Sequence, residues 1–230
     1  IWSSLSRTNS AERVISMRTN GDAPAVAPVA HEPHGDLKRV AASSFLGNFI
    51  EWFDYASYSY FATTIALVFF PTDNHTVAML QTFGVFALSF ILRPIGALFW
   101  GSYGDKKGRK AALAHSIMFM SGASFLIGCL PSYSVIGVGA PILLLLLRMV
   151  QGFSASGEYA GAATFLGEYA PTSKRGIYCS LIPASTAIGL LAGSTLATLM
   201  TANMNSSAMV GWGWRVPFLL AGPLGLIVLY

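Results

Sequence analysis

Gly101-Ser102-Tyr103-Gly104-Asp105-Lys106-Lys107-Gly108-Arg109-Lys110 is a short run of glycine and charge set between two long apolar stretches. Upstream lies Val77–Gly101 and downstream Ala111–Leu130. Each is near the ~20 residues an α-helix needs to cross about 30 Å of hydrocarbon. So short a link makes the two helices antiparallel neighbours, and its glycines permit the tight turn. Asp105 can accept bonds from Arg109 or from an adjacent helix N-terminus. Lys106, Lys107, Arg109 and Lys110 mark the link as cytoplasmic, because loops rich in Lys and Arg stay on that side.

The same reading extends outward in both directions. Apolar spans are expected at Ala41–Phe70, Ala140–Gly167 and Ile177–Thr201. A sixth starts near Val216 and reaches Tyr230, which reads as a helix cut short. Composition agrees: 53% of the chain is apolar and only 10% charged, where a soluble domain has about 25% charged residues. The net charge of +4 does not read as a nucleic-acid surface, since the basic residues cluster between spans. Lys38, Arg39, Lys174 and Arg175 join the four in the first link, whereas the alternate connections carry only Arg215. This asymmetry predicts a cytoplasmic N-terminus. Residues 1–36, with Pro24, Pro28 and Pro33, read as a disordered cytoplasmic tail. Met17 is a candidate start that would leave 1–16 outside the native protein. The transmembrane unit is then 37–230.

Small residues punctuate the spans. Gly157 with Gly161, and Gly189 with Gly193, are GxxxG pairs that let helices approach closely. Cys129 and Cys179 fall at opposite ends of their spans and are expected to be buried free thiols, since no disulfide bridges a bilayer.

The ionisable residues inside the spans carry the functional reading. Span 1 contains Asn48, Glu51 and Asp54 at a spacing of three, which predicts one helix face, with Tyr55 and Tyr58 beside it. Each carboxylate costs about 2.5–3.5 kcal/mol at a membrane-helix centre, so such residues normally face a cavity or a partner and serve function. Arg93 lies in span 2 beside the kinking Pro94, and Arg148 in span 4. At 1.5 Å per residue, Arg148 is roughly 12 Å below the outer surface and Asp54 roughly 20 Å above the inner one. The depths match, so Asp54–Arg148 is an expected pair, and Arg93–Glu158 a second. Leaving water raises a carboxyl's proton affinity and an arginine lowers it, so moving the arginine switches proton binding. Arginine's planar fork also suits a carboxylate substrate. His115 is a lesser proton candidate.

These residues resemble a known family. The loop resembles the signature loop of the major facilitator superfamily, and Arg148-Met149-Val150-Gln151-Gly152 resembles its fourth-helix element. Gly47-Asn48 with Glu51-Trp52-Phe53-Asp54, Arg93-Pro94-Ile95-Gly96, Gly157-Glu158-Tyr159, Glu168-Tyr169-Ala170-Pro171 and Trp212 through Phe218 look like the metabolite:proton symporter branch, which includes proline/betaine and α-ketoglutarate permeases. The Pro131–Leu145 region is most similar to the proline/betaine type. Tyr103 departs from the pattern, standing where the family loop usually has an aliphatic residue.

The resemblance implies an all-α membrane protein, the N-terminal six-helix half of a twelve-helix fold. It would work by alternating access, with Gly101, Gly104, Asp105, Gly108 and Arg109 as the gating loop. Proton and substrate would meet at Glu51, Asp54, Arg93, Arg148, Glu158, Asn48, Tyr55 and Tyr58. The expected activity is proton-coupled symport of a small carboxylate or zwitterion in a bacterial inner membrane, with no cofactor beyond the proton. Expected partners are lipid and the C-terminal half. An exporter or exchanger, or a non-transporting sensor, are the alternatives. No metal-ligand spacing, nucleophile–base set or phosphate loop suggests an enzyme.

Overall fold

The computed structural model describes residues 34–157, 161–163, 166–167 and 170–229. The tail through residue 33, together with Glu158, Tyr159, Glu168 and Tyr169, lies outside the described residues. What is described is helical, with no strand. The helices are α1 (His34–Tyr60), α2 (Ala62–Phe69), α3 (His75–Ile91), α4 (Arg93–Lys107), α5 (Arg109–Cys129), α6 (Tyr133–Ile136), α7 (Gly139–Ala155), α8 (Arg175–Asn203), α9 (Ser206–Gly211) and α10 (Val216–Leu229).

Span 1 is thus α1 plus α2, and span 2 is α3 plus α4. The second break falls at Leu92, with Pro94 in the first turn of α4. Proline lacks the N–H that would continue the ladder, so the kink sits where the sequence put it. The fourth span is α7 followed by helical residues at 161–163 and 166–167. Helix α1 starts at His34, inside the segment expected to be tail. Leu37 explains the extra turn: it is buried in a cluster with Ala41, Ala162, Leu166 and Ile182. A tertiary contact lengthens the helix upstream of the apolar run.

Between α4 and α5 only Gly108 is non-helical, at φ 93°. That left-handed backbone reverses the chain in one residue and is cheap only for glycine. Two caps set other starts. Asn74 Oδ1 accepts from Thr76 N at 3.0 Å and Val77 N at 3.3 Å ahead of α3. Asn205 Oδ1 accepts from Ala208 N at 2.8 Å ahead of α9. Such caps satisfy N–H groups that a helix leaves unpaired.

Helix α1 is the hub, packed against α8, α10 and α5, while α7 packs against α3, α4 and α5. At the α1–α8 contact, a Cβ on Gly189 would lie 2.7 Å from Phe49 O, and one on Gly193 2.7 Å from Ala56 Cβ. This GxxxG pair therefore works as expected. The other does not. Gly157 abuts Trp100, but among the described residues nothing lies within 4 Å of a Cβ at Gly161. The cysteines also differ from expectation: both are unpaired, but Cys129 is exposed and Cys179 only partly covered.

Among the described residues, three helices are long and apolar enough to cross a membrane: His75–Lys107 taken through its kink, Arg109–Cys129 and Arg175–Asn203. Gly139–Ala155 and Gly213–Ile227 are shorter apolar helices. Helix α1 falls outside this set, its apolar run being interrupted by Asn48, Glu51 and Asp54. Arg215, the lone basic residue of its set of connections, is occupied. Its Nη1 donates to Gly128 O at 2.9 Å and to Leu130 O, tying the last carbonyls of α5. A cation there complements the negative end of the helix.

Candidate functional site

Helical geometry separates the polar residues of α1. Residues three apart are turned about 60° from one another, so three in succession fan over roughly 120°. The single face expected for Asn48, Glu51 and Asp54 is in fact three directions, each with its own partner.

Asp54 points into the deepest of these sites. Arg148 Nη1 donates to its Oδ2 at 2.6 Å. Ser124 Oγ donates to Oδ1 at 3.0 Å, and Gln151 Nε2 to the same oxygen at 3.1 Å. Gln151 Nε2 also reaches Ser124 Oγ at 2.5 Å. Asp54 is 2% exposed and Arg148 1%. The guanidinium carbon sits 3.8 Å from the Tyr58 ring centre, with Phe86 and Phe218 farther out at 5.9 and 5.7 Å. The Asp54–Arg148 pair expected from matching depths is therefore formed. Removing either member of a sealed pair leaves an uncompensated charge.

Tyr58 does two jobs here. Its ring supports the guanidinium, and its Oη donates to Thr82 O at 2.9 Å, linking α1 to α3. Tyr58→Phe should keep the first and lose the second, lowering stability by about 1 kcal/mol. Tyr58→Leu should lose both and lower stability further. Thermal unfolding of the two variants separates the two roles.

Glu51 turns toward α4. Arg93 Nη2 bonds both Glu51 Oε1 and Tyr55 Oη. Glu51 is nearly sealed, at 2% exposure, whereas the Arg93 side chain is 30% exposed. Depth matching did not single out this Arg93–Glu51 pair, and the expected partner of Arg93, Glu158, lies outside the described residues. Asn48 turns the third way, into α8. Its Nδ2 lies 3.0 Å from Ile182 O and 2.8 Å from both Ser185 Oγ and Thr186 Oγ1. It joins helices and has no charged partner among the described residues.

The Gly101–Lys110 loop keeps its turn, and the bond from Arg109 that Asp105 could accept is not formed. Gly104 packs beside Ala112, and among the described residues neither Asp105 nor Arg109 forms a salt bridge. With Gly101, Trp100 and Ser116 they line a cavity of about 310 Å³. Tyr103 stacks on Phe99 at 6.1 Å and meets His115 edge-on at 5.8 Å. An aromatic ring thus fills the position expected for an aliphatic side chain. His115 is exposed and bonded to Ala111 O, and it belongs to neither ion pair.

Sequence reasoning missed Ser124, Thr82, Phe86 and Phe90. Gln151 stands within the fourth-helix element but carries no expected role, although it lies three residues after Arg148 on the same helix. Ser124 had no signal, since a serine in an apolar span usually bonds its own backbone, as Ser121 does to Ile117 O.

A helical hub carrying one sealed and one half-open acid–arginine pair agrees with what the chain is similar to. The pattern of the sugar (and other) transporter family matches residues 40–230. The chain belongs to the sugar (and other) transporter family. Among its relatives, the glycine betaine/proline/ectoine/pipecolic acid transporter OusA of Dickeya dadantii is 44% identical over 85% of this chain and 39% of its own length. The proline/betaine transporter of Escherichia coli is 42% identical over the same shares. The chain thus spans about two fifths of the length of the curated relatives it matches. Among solved structures, the proton:xylose symporter XylE, a major facilitator superfamily protein, superposes with a TM-score of 0.72 at 19% identity, over 84% of this chain and 43% of XylE. An inward-open form of XylE from Escherichia coli gives 0.70 at 20% identity, over 84% and 46%. The fold is that of part of a major facilitator N-terminal half. The family and the relatives that match this chain are transporters and not enzymes.

Proposed function

We propose that this chain is the N-terminal half of a proton-coupled symporter that carries a small zwitterion or carboxylate of the proline/betaine kind by alternating access. The observation carrying this reading is the sealed Asp54–Arg148 pair, bonded by Ser124 and Gln151 and seated on Tyr58. A protonated Asp54 no longer balances the Arg148 charge, so proton binding biases the packing of α1 against α5 and α7. A bistable contact of that kind is what couples an ion to a change of access. Glu51, Arg93 and Tyr55 form the neighbouring substrate group, with Asn48 holding α1 to α8 beside it. Glu158 stays a member of the proton and substrate set on its sequence position alone.

In this reading the proton is the coupling ion and no cofactor is needed. The remaining partners are membrane lipid and a C-terminal half that completes the cavity; nucleic acid is not one. The protein resides in a bacterial cytoplasmic membrane with its N-terminal tail and the Gly101–Lys110 loop inside the cell. The loop gates access from that side. An inner-negative potential supplies about 2.3 kcal/mol per charge per 100 mV, roughly a 50-fold gradient.

Proteoliposomes holding the full-length transporter test this. With an imposed inward proton gradient, proline or glycine betaine should accumulate while the lumen acidifies. Solute entry without proton entry would remove symport, and proton-driven efflux would favour the exporter. Labelling of a cysteine placed at Ser102 should occur only from the cytoplasmic side.

A further inference from the structure

Arg93 rests on more than its acid partner. Its guanidinium carbon lies 4.6 Å from the Phe90 ring centre and 5.5 Å from that of Tyr55. Phe86 closes the group, edge-on to Tyr55 at 5.4 Å and to Phe90 at 5.3 Å. The cation therefore occupies an aromatic seat with a carboxylate beside it, the environment that also takes alkylated ammonium groups. The seat is open on one side: Phe90 is 38% exposed and the Arg93 side chain 30%, whereas Glu51 is nearly sealed. Arg93 Nε is buried and has no hydrogen-bond partner among the described residues, so the guanidinium has donor capacity that Glu51 and Tyr55 do not use.

Charge balance selects the ligand. A substrate that is only anionic could draw Arg93 away, but Glu51 would then remain buried without a counter-charge. A zwitterion returns a cation to the place the arginine leaves. Resting on the transport reading above, we propose that Arg93, Glu51, Phe90 and Tyr55 form a zwitterion exchange site. The substrate carboxylate takes the Arg93 guanidinium, and a fully alkylated ammonium takes its seat over Phe90 beside Glu51. A dicarboxylate is the poorer substrate at this site. Phe90 sets selectivity for the cationic end, because an alkylated ammonium without N–H groups gains more from a ring face than from hydrogen-bond acceptors.

Calorimetric titration of the detergent-solubilised full-length transporter tests the site without needing transport. Trimethylglycine should bind at least tenfold tighter than tert-butylacetate, its isostere with carbon in place of the charged nitrogen, and tighter than succinate. Phe90→Leu should shrink the trimethylglycine advantage about tenfold, the size of one desolvated cation–π contact. Phe90→Trp should keep it. A wild-type helical circular-dichroism spectrum and cooperative thermal unfolding of Phe90→Leu would show that the variant is folded. Equal binding of the isostere, equal loss of both ligands in Phe90→Leu, preference for succinate, or no binding of trimethylglycine would each overturn the site. Trimethylglycine binding that depends on Phe90 but brings no proton into liposomes leaves the site standing and removes symport instead.

Discussion

Asp54→Asn is expected to abolish proton-driven accumulation in the full-length transporter and to lower its stability by roughly 3–5 kcal/mol, the usual result of stranding a buried charge. The stranded group is Arg148, 1% exposed, whose Nε and Nη2 already lack partners among the described residues. Its aromatic support from Tyr58 cannot replace a counter-charge. The amide cannot take up or release a proton, so any remaining solute movement should be downhill and independent of the proton gradient. A second variant separates stability from coupling. Asp54→Leu combined with Arg148→Met removes both charges together, and replacing a buried pair by apolar groups is often close to neutral for stability. That double variant should unfold near the wild-type temperature and still fail to accumulate solute. Exchanging the two charges, Asp54→Arg with Arg148→Asp, should partly rescue the single variants. Proton-coupled uptake by Asp54→Asn would end the assignment, and a complete failure of the exchange to rescue would count against the pair as the coupling unit.

Gly152→Ala should be nearly as damaging, although it adds one methyl group and touches no charge. A Cβ at this position would overlap the Ser89 carbonyl, lying 2.7 Å from its carbon. The obstacle is backbone, so it cannot rotate aside as a flexible side chain can. Overpacking of this kind costs about 1–3 kcal/mol or more. The displaced helix, α3, also carries Thr82, which accepts the Tyr58 bond, and Phe86, which flanks Arg148. Uptake should therefore fall along with the unfolding temperature. Gly84→Ala is the control on the same helix. Nothing lies within 4 Å of a Cβ there, and alanine favours a helix over glycine by up to about 1 kcal/mol. Gly84→Ala should be neutral or stabilising. Equal behaviour of the two variants would show that the α3–α7 approach does not depend on the absent side chain.

Much of the site could be read one helix at a time. Asp54 and Arg148 each stood out because an ion inside an apolar span needs a reason, and counting residues from the span ends matched their depths. That count has no angular precision between helices. It matched Arg93 with Glu158 by depth and gave no sign of Glu51, the carboxylate that α1 turns toward α4 onto Arg93. The same limit put Asn48, Glu51 and Asp54 on one face. A rotation of about 60° between residues three apart is small on a helical wheel and decisive in a bundle with neighbours on several sides.

Local sequence by itself determined the helical spans, the kink before Pro94, the reversal at Gly108 and the presence of ions that lipid alone would not accommodate. Each of these depends on hydrophobic length, a missing N–H or a backbone angle, properties that a residue carries into any fold. Only the tertiary structure decided which arginine meets which acid, that Ser124 and Gln151 complete the Asp54 site, that Gly152 and not Gly161 is a point of close approach, and that the Arg93 cation sits on aromatic rings. Those outcomes depend on how helices rotate and cross, which is set by packing summed over many weak contacts. No single stretch of the chain contains it.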